Sequence, residues 1–379
     1  MRVGPEVVIT GLGRRFTSRL HDERVAAWLG MALGVTFTVC ALTGAYSHLA
    51  QQGASWVTLP SRPAGLYRIT QGLHVVTGFA SIPLLLAKLW VVAPKLFEWP
   101  PVKSIGHLLE RLALVPLVGG AVFLLVSGSA NVARWYPWSF FFPTAHLWAA
   151  WITVGALVVH VGATIATARS SLARGSGSPA ERSDRRSFLG GVAVTSALLA
   201  VGTAGGTVSW LSRVSFLAQR RPGVGPQGVP INKTARSARV VEAATAATWR
   251  LRISGAVERP TALSLAELRA LQQREAELPI ACVEGWSASA RWRGVPVRDL
   301  LALVGAAPDA EVTAHSLQPN GRYRRSELNR LHAADRDTLI ALELDGEPLH
   351  LDHGYPARLI GPNRPGVAQT KWLAELEVH

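Results

Sequence analysis

Histidine and cysteine are the residues of this 379-residue chain best suited to hold a redox metal, and it carries 11 of the first and 2 of the second. His146 and His160 are 14 residues apart in one apolar run. At about 100° per residue that separation falls only ~40° short of four helical turns and rises ~21 Å. Both rings therefore project from one helix face, one toward each side of a membrane, a spacing that suits two stacked haems. Imidazoles are costly inside a bilayer and are functional there by default. The second signal is Cys282, in Cys282-Val-Glu-Gly-Trp-Ser. A metal favours the deprotonated thiol, and a soft thiolate suits an electron-rich, redox-active metal. A buried, inert cysteine is the alternative for that residue.

The elements that must carry these residues are legible in the apolar runs. Hydrophobic residues make up 49% of the chain and mean hydropathy is positive. The runs cover 25–50, 69–87, 112–133, 144–167 and 187–211, each near or above the ~20 residues a helix needs to cross a bilayer. Five such runs in so short a stretch leave too little polar surface to cover them as soluble core helices. The net charge of +14 is placed for a membrane rather than for nucleic acid. Arg2, Arg14, Arg15, Arg19 and Arg24 precede the first run, Lys95 and Lys103 follow the second, and Arg169, Arg174, Arg182, Arg185 and Arg186 follow the fourth. The other loops hold only Arg62, Arg68 and Arg134. The positive-inside rule puts the N-terminus and the basic loops in the cytoplasm and everything after residue 211 outside. The first 24 residues are too polar for a cleaved signal peptide. Ser183-Asp-Arg-Arg-Ser-Phe-Leu189, before a weakly hydrophobic Gly/Ala-rich span, resembles a twin-arginine export motif; a plain cytoplasmic charge anchor is the other reading.

Depth assigns partners to the membrane histidines. His74 starts the second span near the outer surface, level with His146, and His48 ends the first span at similar depth. His107 lies near the inner surface, closest to the level of His160. The expectation is an outer haem held by His74 and His146 and an inner one held by His107 and His160. His48 is a spare outer ligand or a quinone or propionate contact. Interhelical hydrogen bonding is the alternative use of these rings. The arrangement resembles the paired ligands of di-haem cytochrome b subunits. The sequence has no CxxCH attachment motif, so such a haem is noncovalent and b-type. The small-residue stretches 42–45 and 117–121 allow close helix approach.

After the last span, residues 212–245 read as a Pro/Gly-rich basic linker. From residue 246 a mixed α+β domain is expected. WRLRISGAV alternates as a strand, and SLAELRALQQREAEL reads as a helix behind a serine cap. VRDLLALVG reads as helix, and EVTAHSL, DTLIALEL, ARLIGP and WLAELEVH as strands. Cys40 lies mid-membrane and Cys282 in the external domain, so the two are not expected to pair.

Cys282-Val-Glu-Gly-Trp-Ser followed by Trp292-Arg-Gly-Val-Pro-Val-Arg-Asp-Leu-Leu301 resembles the molybdenum-cysteine segment of sulfite-oxidase-fold molybdopterin oxidoreductases. Leu351-Asp-His-Gly-Tyr-Pro-Ala-Arg-Leu-Ile-Gly-Pro362 is similar to that family's DHGFPxRxxxPG segment, and Thr370-Lys-Trp-Leu373 to its KWL segment. The resemblance covers residues 230–379 and implies Cys282 as the single thiolate ligand of molybdenum. It implies Ser316 near the cofactor, and His353 and Arg358 on the pterin and its phosphate. Gln369, Thr370 and Lys371 follow on the same tail, and Asn232 is a weaker upstream contact. Arg293, Arg322, Tyr323 and Arg324 are candidates to face substrate.

The expected architecture is thus a multi-domain chain. A helical transmembrane bundle of five spans is followed by a mixed α+β sulfite-oxidase-fold molybdopterin domain. The boundaries are a 1–24 tail, 25–167 cytochrome b-like, 168–211 basic loop and fifth span, 212–245 linker and 246–379 catalytic. The expected function is a membrane-bound oxidoreductase with Mo-molybdopterin and one or two b-type haems. It exchanges electrons between a small external substrate, an S- or N-oxide or a sulfite-like anion, and the quinone pool. Its partners are the lipid bilayer, quinone and substrate, with no nucleic acid. The competing readings are a cofactor-free membrane-anchored binding or sensor protein and a transmembrane haem reductase of an external acceptor.

Overall fold

Five long helices take up the five apolar runs: α1 Glu23–Gln52, α2 Leu66–Leu96, α3 Ile105–Ala133, α4 Phe142–Ala173 and α5 Pro179–Ala204. Each is long and apolar enough to cross a bilayer. The structure, a computed structural model, describes residues 17–52, 57–96, 102, 104–173 and 178–379. Of the charges used above, Arg2, Arg14, Arg15, Lys103 and Arg174 lie outside the described residues. The helices outrun their apolar runs because polar flanks cap and extend them. Ser104 accepts the His107 N–H at the start of α3, and Arg134 closes its end in the left-handed region at φ 54°. α5 ends at Ala204, before 211, at the Gly205-Gly206 pair, which continues a helix poorly.

The chain divides into two compact units that do not follow the run of the sequence. One holds the described residues up to Leu42 and those of 74–203. The other holds 204–379 together with 43–73, the C-terminal part of α1, the loop after it and the N-terminal part of α2. Residues 43–73, expected within the 25–167 helical domain, thus group with the α+β fold.

In that second unit ten strands form two sheets. They are β1 Arg250–Gly255, β2 Thr261–Ser264, β3 Arg274–Ala281, β4 Ser287–Pro296, β5 Val312–Ser316, β6 Arg325–Leu328, β7 Leu339–Leu344, β8 Glu347–Pro348, β9 Arg358–Ile360 and β10 Leu373–Val378. The first sheet runs β2-β1-β10-β5-β6; the second runs β3-β4-β7-β8, with β9 also on β7. Among the described strand pairs only β1 with β10 is parallel. Leu251 and Ile253 of β1 and Leu373, Leu376 and Val378 of β10 feed one core, and Ile280, Trp286, Ala288, Ala290 and Trp292 feed a second. β4 bulges between Arg293 and Gly294, where a side chain on Gly294 would meet the Ile340 carbonyl oxygen at 2.0 Å. Cys282 borders the second core, at the turn between β3 and β4.

Two local expectations change. The helix expected over SLAELRALQQREAEL stops at Ala270, although Ser264 and Glu267 form its full capping box. Residues from Arg274 onward pair with β4 instead. Leu278 and Ile280 face inward while Glu275 and Glu277 do not, a period of two that tertiary pairing makes decisive. The stretch 212–245, read as a linker, is built into the domain. Val229, Ala235, Ala238, Val240 and Ala244 are buried, four of them against Trp372. Thr234 caps a short helix at Ala235–Ala238.

Candidate functional site

Cys282 is 2% exposed. Its N–H donates to the Trp286 carbonyl at 2.8 Å and its carbonyl accepts from the Gly285 N–H at 3.0 Å, so the turn fixes the thiol. Burial first, and the Glu284 carboxylate second, push that thiol up to about 12. It opens on a cavity of ≈ 320 Å³ of empty space, mouth included, whose walls include Asn232, Trp286, His353, Arg358, Gly366 and Lys371.

The walls are cationic and are held by carbonyls rather than by carboxylates. Arg358 Nη1 donates to the His353 carbonyl at 3.0 Å and Nη2 to the Gln369 carbonyl at 3.2 Å. Its guanidinium lies 4.9 Å from the Trp292 ring centre, and its Nε is buried without a partner. Burial alone lowers Arg358 to about 9. Lys371 Nζ donates to the carbonyls of Lys233 at 2.6 Å and Asp352 at 2.9 Å. Burial, then the charge of Arg358, brings Lys371 to about 7. His353 Nε2 bonds the Pro226 carbonyl at 2.7 Å and is lowered to about 4 by burial and then by Arg358. Gly354, at φ 111°, lets Arg358 and Lys371 converge, since a side chain there would stand 3.0 Å and 3.1 Å from their Cβ atoms.

Of the residues expected at the site, Cys282, Asn232, His353, Arg358 and Lys371 line this cavity. Gln369 stands behind them. Its Nε2 donates to the Arg364 carbonyl at 3.1 Å, and its Oε1 is buried without a partner. Ser316 and Thr370 act at one remove from the wall: Ser316 Oγ donates to the Lys371 carbonyl at 2.7 Å, and Thr370 Oγ1 bonds Ser326 Oγ at 2.6 Å. Arg293 is half-exposed and bonds Glu343 at 3.3 Å on the sheet. Arg324 donates to the Pro319 carbonyl at 3.5 Å. Sequence reasoning missed Arg364, 6% exposed, which donates to the carbonyls of Glu327 and Ala368 at 2.8 Å and 2.9 Å.

In the other unit, the rings of His74 and His146 meet with centroids 6.3 Å apart, edge to face. His74 Nδ1 bonds the Cys40 carbonyl at 3.0 Å, and His146 Nδ1 bonds Ser127 Oγ at 3.1 Å. His160 Nδ1 is buried without a hydrogen-bond partner. His107 Nε2 accepts from Arg111 at 3.3 Å, which engages the nitrogen that iron would take. His48 groups with the unit that holds the α+β domain, and His74 and His146 with the other.

These donor sets can be tested against cofactors. Among the described residues no three His, Cys, Asp or Glu side chains gather to hold a metal by themselves. One thiol and one pair of imidazoles suit cofactors that bring their own ligands. At Cys282 the fit is to an anionic group: Arg358 and Lys371, held by carbonyls rather than carboxylates, and an idle guanidinium Nε line the cavity. For the histidines the fit is metric. Two metal–nitrogen bonds of about 2 Å and two ring radii of about 1 Å span roughly 6 Å. Both Nδ1 atoms already hold the outer bonds that orient ligand imidazoles.

The model of the family described as oxidoreductase molybdopterin binding domain matches residues 238–379. This region is a molybdopterin-binding oxidoreductase domain. Cys282, His353, Arg358 and Lys371 all fall within the matched residues. Among relatives, the candidate protein-methionine-sulfoxide reductase subunit YedZ1 of Azospira oryzae is 35% identical over 133 residues, 35% of this chain and 50% of that protein. The protein-methionine-sulfoxide reductase catalytic subunit MsrP of Xanthomonas campestris pv. campestris is 33% identical over 141 residues, 34% of this chain and 44% of that protein. The chain thus spans half or less of the length of these relatives. The sulfane dehydrogenase SoxCD of Paracoccus pantotrophus overlays 42% of this chain and 45% of its own at a TM-score of 0.34 and 21% identity.

Proposed function

We propose that the chain is a membrane-anchored molybdopterin-dependent reductase that passes electrons from quinol, through b-type haem, to a small oxide outside the cytoplasm. The observation that carries this reading is the Cys282 thiol in a cavity walled by Arg358 and Lys371. The methionine-sulfoxide reductase names of two relatives favour an S-oxide and the reducing direction. Each turnover is balanced: the sulfoxide takes two electrons and two protons from the quinol, its S–O bond breaks, and sulfide, quinone and water result.

When bound, the molybdenum cofactor supplies oxygen-atom transfer and the haem supplies one-electron transfer. The chain's residues do the rest. Cys282 presents one thiolate, Arg358 offers a planar fork to a phosphate, and Lys371 adds a compact charge beside it. His353 holds its ring on the Pro226 carbonyl. The membrane helices would anchor the enzyme with Lys95 and the 169–186 arginines inside. His74 and His146 would ligate an outer haem, with His160 left for an inner one. The twin-arginine-like segment would direct export of the folded domain.

Metal analysis and a visible spectrum of the full-length protein, made in a cofactor-competent host, test this. About one molybdenum per chain and reduced b-type bands that His146→Ala removes are expected. Molybdenum-free protein from such a host would end the enzymatic reading, and a spectrum without haem bands would end the quinol route.

A further inference from the structure

Three helix ends belong to the α+β unit. It holds the C-terminal end of α1 and the N-terminal end of α2, both within 43–73, and it resumes at Ala204, where α5 stops. Read as spans, α1 to α5 alternate in direction, so these three ends emerge on one face of a bilayer. Asn363 and Arg62 tie the first two to the fold. Asn363 Oδ1 accepts from the Tyr46 hydroxyl at 3.0 Å and the Tyr67 N–H at 2.9 Å, and its Nδ2 donates to the Pro60 carbonyl at 2.7 Å. Arg62 donates to Asp335 through two bonds of 2.9 Å and also pairs with Asp337.

At the third end the chain closes into a compact knob. The Val208 N–H donates to the Ala204 carbonyl at 2.8 Å, Leu211 to Val208 at 3.0 Å, Ser215 to Leu211 at 3.1 Å and Ala218 to Ser215 at 3.1 Å. Gly205 permits the closure: its N–H donates to Ser215 Oγ at 2.7 Å, and a side chain there would meet that oxygen at 2.5 Å. The knob also lies against α2, where a side chain on Gly72 would stand 2.9 Å from Thr207 Cγ2. Trp210 follows Ala204 by six residues, so it stays within ~20 Å of the end of α5.

For a surface in water this knob is inside out. Ser215 is 2% exposed, whereas Trp210 is 79% and Phe216 74% exposed, and Val214 is exposed between them. Ile69 and Leu73, on the stretch of α2 that carries Gly72, are exposed as well. Water drives apolar groups inward and gives no reason to sink a hydroxyl while two large rings stay out. A bilayer surface does: aromatic rings collect where a span leaves the membrane. Arg213, also exposed, can carry its charge to the headgroups on its apolar stem.

We infer that residues 205–218 are a membrane-interface seat, with Trp210, Val214 and Phe216 in the headgroup region of the leaflet from which α5 emerges. The occupant of this apolar surface is lipid. The seat is joined to the thiol's turn. The Gly206 carbonyl accepts the Ser287 N–H at 2.7 Å, and Arg220, just beyond the seat, donates to Glu284 at 2.7 Å. Glu284 lies in the turn after Cys282 and Ser287 ends it, so the knob that meets lipid also holds that turn. The inference rests on α5 crossing the bilayer.

Spin labels on the full-length protein in phosphatidylcholine nanodiscs test it. In a Cys40→Ser background, Trp210→Cys and Phe216→Cys carry the label in turn. Val194→Cys, exposed on α5, is the bilayer reference, and Asp309→Cys, at an exposed turn, is the aqueous one. Cys282 is buried, and any signal from it, read in the background protein, is subtracted. At positions 210 and 216, collisions with the trianion chromium oxalate should fall about tenfold below those at 309, while collisions with oxygen stay at or above them. Val214→Cys replaces either variant that does not fold. Low collision rates with both reagents would put the rings in a protein contact, and rates equal to those at 309 would put them in water; either result overturns the inference. A label at 194 as open to chromium oxalate as that at 309 overturns the reading of α5 as a span, and is told apart by that position alone.

Discussion

Cys282 and the His74–His146 pair are the chain's two candidate redox centres, and they are prepared in different ways. Around Cys282 the protein gathers buried cations and leaves them short of negative charge: burial lowers Arg358 to about 9, and burial with Arg358 brings Lys371 to about 7. Carbonyl oxygens hold both side chains in place. Around the histidines the aiming groups are neutral: two rings 6.3 Å apart are held by a carbonyl and a hydroxyl. The first site is an electrostatic mould for an anionic ligand, and the second is a spacing. The difference matches the cofactors proposed for each. A phosphate-bearing pterin is held by its charge, whereas a haem in an apolar bundle is held by two axial nitrogens and by packing.

That contrast can be broken by substitutions that should affect one centre and spare the other. The largest expected effect is from Cys282→Ser. Turnover should fall more than about 100-fold with the haem bands unchanged, since a hydroxyl is a poor replacement for a soft thiolate; kinetics and a spectrum on one sample decide it. His146→Ala should abolish the outer haem's reduced bands while molybdenum content stays at wild-type level, as read by metal analysis. Next comes Arg358→Met, which keeps the buried volume but removes the fork. Pterin retention through purification should drop about tenfold or more. Because free Lys371 titrates near 7, cofactor uptake by empty protein should also weaken as pH rises above about 7, where the lysine must regain a proton to meet an anion.

The smallest effect belongs to the Arg62 clamp. Burial alone would raise Asp335 and Asp337, but hydrogen bonds from Arg62, and at Asp337 also from Arg274, outweigh it and hold both carboxyls below their ordinary range. Their contribution is therefore full above about pH 4 and fades as pH falls through the lowered native values. Arg62 is half-exposed, so Arg62→Ala should cost only about 1 kcal/mol at neutral pH. The cost should shrink in acid, measurable by denaturant unfolding at several pH values.

How much of this was readable beforehand depends on the range of the forces involved. The five apolar runs announce five helices because bilayer-length hydrophobicity is local and additive. The strands β1, β5, β7, β9 and β10 are legible from alternation or from short apolar runs. The cavity residues Cys282, His353, Arg358 and Lys371 are legible from motif order. Where long-range pairing competes with local propensity, the local reading loses: Arg274–Ala281 looks like the tail of a capped helix and becomes a strand beside β4. Residues 212–245 look like a linker because they are rich in Pro, Gly and basic residues with no apolar period, yet Val229, Val240 and Ala244 are buried.

The sequence by itself determined the chemistry that is possible: one thiol outside the membrane runs, histidines within them, and the charges flanking each run. Only the tertiary structure decided which residues meet. It joined 43–73 to a domain beginning more than a hundred residues later, through Asn363 and Arg62. It brought His74 to His146 while giving His107 to Arg111. The physical reason is that a motif reports local chemistry, while a site is assembled by contacts distant in sequence, whose partners no local spacing encodes.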